Sequence, residues 1–139
     1  MANDLAKLTA AIERLPDTLM QTVGPIVGET TIDLIQQGFD DEKNPYGEPW
    51  APLKAREGRI LRDRGLLYRN WHWAVTGGGV EVSSGQEYAS FHQDGTKKMV
   101  ARKMVPDPGQ ELPRHWAEEL DAALEEGIAQ AIAAEIANT

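Results

Sequence analysis

Apolar residues recur at three- and four-residue steps towards both ends of this chain and at two-residue steps in its middle. Leu5, Leu8, Ile12, Leu15 and Leu19 follow the helical spacing, which keeps one face apolar over successive turns. Val23, Ile26, Val27, Ile32, Ile35 and Phe39 continue it. Residues 2–38 therefore read as helical, with a kink or a fresh start at Pro16 and a second break at Gly24-Pro25. Further on, Leu112, Trp116, Leu120, Leu124, Ile128, Ile132 and Ile136 stand four apart and predict a long amphipathic helix over 112–138. Each four-residue step turns a regular helix by about 400°, so the stripe drifts by about 40° per step and about 240° over its length. No flat neighbour can accept such a stripe. Either the helix bends, near Gly127, or its two ends face different partners.

The middle has a different grammar. Residues 40–53 are rich in Asp, Asn, Pro and Gly, the chemistry of loops, with a tight turn at Pro45-Tyr46-Gly47 and an extended Trp50-Ala51-Pro52-Leu53. Lys54 to Arg64 is basic, either a short helix or an exposed loop. Trp71, Trp73 and Val75 alternate with His72 and Ala74, and Val80-Glu81-Val82-Ser83 alternates likewise beyond Gly77-Gly78-Gly79. This predicts an antiparallel hairpin over 71–83. Tyr88 to Gln93 reads as a short helix or turn, and Thr96 to Arg102 as a further strand or hairpin arm. The fold class is thus α+β: an N-terminal helical segment (1–39), a loop and small antiparallel sheet with its hairpin (40–105), and the long C-terminal helix, in a single domain over 1–139.

Composition narrows the function classes. A chain of 139 residues, 41% apolar and 26% charged, has the size and balance of one globular domain. No apolar run is long enough to span a membrane, and the first residues lack the basic and apolar regions of a secretory signal. There are no cysteines, which excludes disulfides and thiolate metal sites and fits a reducing cytoplasm. The net charge of −8 is unevenly spread. Residues 1–53 carry three basic and nine acidic side chains (−6), residues 54–103 ten and five (+5), and residues 104–139 one and eight (−7). Acidic terminal segments can lie against the basic middle of the same or a neighbouring subunit, a complementarity that sets register and partner choice more than affinity. The alternative is that these runs are solvated faces.

Candidate chemistry is sparse. His72, His92 and His115 occur in no zinc-binding spacing. His92 has the most distinctive context and reads first as a packed, hydrogen-bonded residue. Ser83-Ser84 lacks the turn of a nucleophile elbow, and Asp40-Asp41-Glu42 lacks the spacing of a calcium loop. No catalytic residue, metal ligand or cofactor is expected, and the chain does not read as an enzyme. Arg56, Arg59, Arg62, Arg64 and Arg69, with Lys97, Lys98, Arg102 and Lys103, form a basic middle that could face DNA or an acidic protein partner. Trp71, Trp73, Tyr68 and Tyr88 could stack bases. A nucleic-acid-binding accessory protein is therefore the alternative reading, against a chain pI near 4.8.

Two local patterns carry more. Phe39 is followed by Pro45-x-Gly47-x-x-Trp50-x-Pro52-Leu53, and later comes Tyr88-Ala89-Ser90-Phe91-His92-Gln93-Asp94-Gly95. The first, and the Tyr-Ala-x-x-His-Gln-x-Gly element in the second, resemble the phage virion morphogenesis family, also called tail completion or head–tail joining proteins. Gly65-Leu66-Leu67-Tyr68-Arg69-Asn70-Trp71 stands where that family has a Leu-rich segment opening a strand. Val100-Ala101-Arg102-Lys103-Met104 stands where it often has Pro-Ala-Arg-Pro. The resemblance covers about residues 35–105 by motif. It implies a virion neck or tail component assembled in the host cytoplasm. The implied form is a homo-oligomeric ring, commonly a hexamer in related tail terminators, between the head–tail connector or adaptor proteins and the tail tube protein. Genomic DNA would pass nearby, and no cofactor or membrane is involved. Gly47 is then expected to permit a turn and Trp50 to anchor the loop, its N–H reaching a carbonyl. Tyr88 and His92 would share a helix face, and Gln93 and Gly95 would shape the following turn. Lys97, Lys98 and Lys103 are expected in an interface.

Overall fold

The computed structural model describes residues 17–53, 60–61, 65–76, 79–86, 88–97, 99–107 and 109–137. The first stripe, Leu5 to Leu15, lies outside them, as do Arg56, Arg59, Arg62, Arg64, Lys98 and the first two glycines of the hairpin turn. Six elements follow in chain order: α1 (Asp17–Asp41), a single turn α2 (Leu66–Arg69), β1 (Trp71–Thr76), β2 (Gly79–Ser84), the short α3 (Ala89–Asp94) and α4 (Arg114–Ala137). This is the α+β arrangement that the periodicities predict.

The core forms where α1 packs on α4. Val23, Val27, Leu34, Ile35 and Phe39 of α1 are buried with Trp116, Leu120, Ala123 and Ala131 of α4. The helices run antiparallel: His115 Nε2 lies 3.1 Å from Gln37 Oε1 near one end. Towards the other, a Cβ on Gly127 would come within 3.1 Å of the Val23 backbone. Contrary to the predicted break at Gly24-Pro25, α1 is continuous through Pro25. A proline inside a helix removes one backbone bond at a cost of about 3 kcal/mol. Here the flanking turns are fixed from two sides, by α4 against Val23 and by the hairpin against Gly24 and Gly28. Tertiary packing, rather than local propensity, sustains the helix.

The hairpin pairs Trp71 with Ser84, Trp73 with Val82 and Val75 with Val80, as the alternation predicts. It sits on a glycine face of α1. A Cβ at Gly28 would lie 2.5 Å from Trp73 Cγ, and one at Gly24 2.5 Å from Val75 Cγ2. Trp73 Nε1–H then donates to Glu29 Oε1 at 2.6 Å.

Three boundaries differ from expectation. First, α1 runs on to Asp41 and ends with Glu42 in the left-handed region, φ 54°. Glu42 N–H donates to Phe39 O and Lys43 N–H to Gly38 O, the double closure of a Schellman turn. Second, α4 begins at Arg114, not Leu112, because a residue before proline is held out of the helical region; Pro113 O accepts the Ala117 N–H instead. Third, the described residues of 96–102 form no strand. Gly95, at φ 75°, turns the chain back, Thr96 and Met99 bond each other, and Arg102 N–H donates to His92 O. Turn and helix partners thus take the backbone groups a strand would have offered. Among the described residues the sheet has two strands.

Candidate functional site

The two sequence motifs converge on a third segment, residues 101–107, and grip it. In the first motif, Asn44 organises the loop: its Oδ1 accepts the N–H groups of Tyr46 and Glu48. Gly47 N–H donates to Asn44 O from a φ of 86°, the left-handed backbone that glycine adopts freely. The loop so shaped presents Trp50, which is 6% exposed. Its ring meets Phe39 edge-on at 5.3 Å, and its Nε1–H donates to Lys103 O at 2.8 Å. Arg102 returns the contact, donating from Nε to Ala51 O at 2.9 Å and from Nη2 to Pro52 O at 3.2 Å. Leu53 is half-buried beside the exposed Pro52.

The second motif holds the same segment. Gln93 Oε1 accepts the N–H groups of Met104 at 2.7 Å and Val105 at 3.1 Å, while its Nε2–H donates to Val105 O at 2.8 Å. Gln93 acts as a strand partner in side-chain form. Gly95 is required by close approach as well as by φ, since a Cβ there would lie 2.9 Å from Ala101 N. Ala89 is half-buried at the start of α3. Replacing Gln93 by leucine leaves three backbone groups without these partners. A loss of about 1–3 kcal/mol is expected, read as a lowered urea midpoint with α-helical signal retained before the transition.

Tyr88 and His92 do share a face, their rings edge-on at 5.7 Å. His92 is packed, but its buried Nδ1 has no hydrogen-bond partner, so the expected hydrogen-bonded histidine is corrected on that atom. Partial burial, then the Arg102 charge, hold its pKa below the ordinary 6.5. The unfolded chain accordingly takes up the proton more readily than the fold does. Stability from this residue is full above about pH 6.5 and is lost as pH falls towards the lowered folded value. In a His92→Gln variant the corresponding slope of stability against pH should disappear, which denaturant titrations between pH 7.5 and 5 would check.

Of the basic middle, Arg69, Lys97, Arg102 and Lys103 lie among the described residues, and Arg102 and Lys103 are engaged within the chain. Lys103 Nζ pairs with Asp107 Oδ2 at 2.7 Å, a hydrogen bond that holds its pKa above the ordinary lysine value. Arg102 is spent on the loop carbonyls, and of these four Arg69 and Lys97 stand exposed. The sequence reading missed Tyr46 and Asp107, whose contact (Asp107 N–H to Tyr46 Oη, 2.9 Å) closes the grip at its far end. The signal was a tyrosine inside the Pro-x-Gly turn. It also missed Glu42, whose backbone O accepts the Trp50 N–H and whose Oε2 accepts the Ile60 N–H.

Ser84 Oγ is occupied by the Gln86 N–H. Among the described residues no group of three or more His, Asp and Glu is placed to hold a metal ion, and no helix is long and apolar enough to cross a membrane. What the arrangement does chemically is to lock two loops and a helix onto one strand-like segment. A model of the phage virion morphogenesis family matches residues 3–135, a span that includes both gripping motifs and the segment they hold. No curated protein and no solved structure matches the chain. With nearly its whole length inside that match, this chain belongs to the phage virion morphogenesis family.

Proposed function

We propose that this protein is a structural component of the phage neck. It completes the tail, or joins head to tail, by assembling as a ring between the connector and the tail tube, without catalysis or cofactor. The observation that carries the reading is the family match over residues 3–135, which gives the chain a part in virion morphogenesis. The physical arrangement supports assembly as the mechanism. The motif residues are committed to packing and backbone bonds, whereas the far end of α4 exposes Ile132 at 53% and Ile136 at 69%. A DNA-binding role draws less support, because Arg102 and Lys103 already have partners within the chain.

The test is the native mass of the purified protein across concentration and salt, together with detection of the chain in purified virions. A ring-sized species present in a few copies per virion is the expected result. A strict monomer absent from virions overturns the proposal.

A further inference from the structure

The drift of the apolar stripe along α4 has a visible outcome. Leu112, just before the helix, and Trp116 and Leu120 within it are buried, and the buried line then continues through Ala123, Gly127 and Ala131. The stripe itself peels away: Leu124 and Ile128 are half-buried, and Ile132 and Ile136 are exposed. At about 100° per residue, Asp121, Glu125, Ile132 and Ile136 fall within about 60° of one another. One exposed face of α4 is therefore acidic in its middle turns and apolar in its last ones.

A second exposed apolar surface carries Lys97, three residues beyond the exposed Asp94. Phe91 is 54% and Val100 52% exposed. The fold-back at Gly95, fixed by the Arg102 N–H to His92 O bond, carries both on one small unit. Lys97, at the turn of that unit, is exposed. Isolated apolar side chains on a surface are ordinary, but grouped ones mark contact sites.

We propose that the Phe91–Val100 unit of one copy docks on the exposed α4 face of a second copy, with Lys97 meeting Glu125 and the apolar side chains meeting Ile132 and Ile136. The inference rests on the ring reading and says which surfaces make the ring. A second copy fits as occupant because the two surfaces are matched in kind, apolar side chains beside the exposed Lys97 against apolar side chains beside Asp121 and Glu125. They also lie on different elements of the same chain. One patch meeting a different patch is the heterologous contact that repeats head to tail and closes into a ring. Apolar burial supplies the attraction, and the charges fix the register.

The chain has no cysteine, so introduced thiols report cleanly. Val100→Cys and Ile132→Cys variants, mixed under mild oxidation, should give a mixed covalent dimer at least tenfold above either variant alone, and the double variant a ladder of covalent oligomers. Lys97→Glu should weaken assembly at least tenfold, and adding Glu125→Lys should restore it. Cross-linking only between two copies of Ile132→Cys, or only within one chain of the double variant, overturns the docking. A ring-sized native mass without the mixed bond leaves the ring and removes this interface. A monomer under every condition removes both.

Discussion

Replacing Trp50 by alanine is expected to lower the unfolding free energy by about 3–5 kcal/mol, the range for deleting a buried indole. The side chain is 6% exposed, meets Phe39 edge-on, and donates to Lys103 O at 2.8 Å. Phe39, fully buried, also meets the Tyr68 ring at 5.6 Å, so the cavity would open at the centre of an aromatic group rather than at its rim. Total stabilities of single domains are about 5–15 kcal/mol, and such a loss leaves little reserve. Trp50→Phe separates the two contributions. It keeps most of the ring but leaves the Lys103 carbonyl without its donor, which is worth about 1–3 kcal/mol. Urea titrations of both variants against wild type are the measurement. An alanine variant within about 1 kcal/mol of wild type would show that the loop is not anchored through this residue.

Gly28→Leu is expected to cost towards the upper end of the roughly 1–3 kcal/mol typical of overpacking. The first added carbon already lies 2.5 Å from Trp73 Cγ and 2.7 Å from Trp73 Cβ. The hairpin must then lift from α1, pulling the Trp73 indole from Glu29. Gly28→Ala sharpens the test, because alanine gains about 1 kcal/mol in helix propensity over glycine. Net destabilisation in that variant, with altered tryptophan fluorescence, identifies the close approach as the reason for glycine. A stabilised alanine variant would contradict it.

What the sequence made legible follows from where the governing interactions are local. The hairpin is written in two-residue alternation around a glycine turn, and Trp50 and Gly47 announce their roles by residue type. The α4 stripe predicted its own divergence, since rotation per residue is a property of the helix alone. Pro25 misled because its effect was cancelled by residues distant in sequence, Trp73, Val75 and the α4 face. Residues 96–102 carry strand-like side chains, yet the backbone direction set at Gly95 and the bond from Arg102 to His92 decided their path. Lys103 looked like a surface charge until Asp107, four residues on, was seen to engage it. The part of Gln93 was also illegible: its amide replaces a missing strand for residues 104 and 105, which only the tertiary arrangement reveals.

The antiparallel pairing of α1 with α4 sets the order in which the chain can mature. Val23 meets α4 at Gly127, at the far side of the hairpin, α3 and every loop. Synthesis proceeds from the N-terminus, so α1 emerges long before the helix that covers it. Its apolar face must wait through most of translation. The central closure is a contact of high sequence separation, and such contacts form only after the entropy of a long loop has been overcome. A chain stopped before Trp116 would thus lack the other half of its interior, whatever its hairpin had achieved. The complete fold is therefore acquired late, only after the last turns of α4 are made.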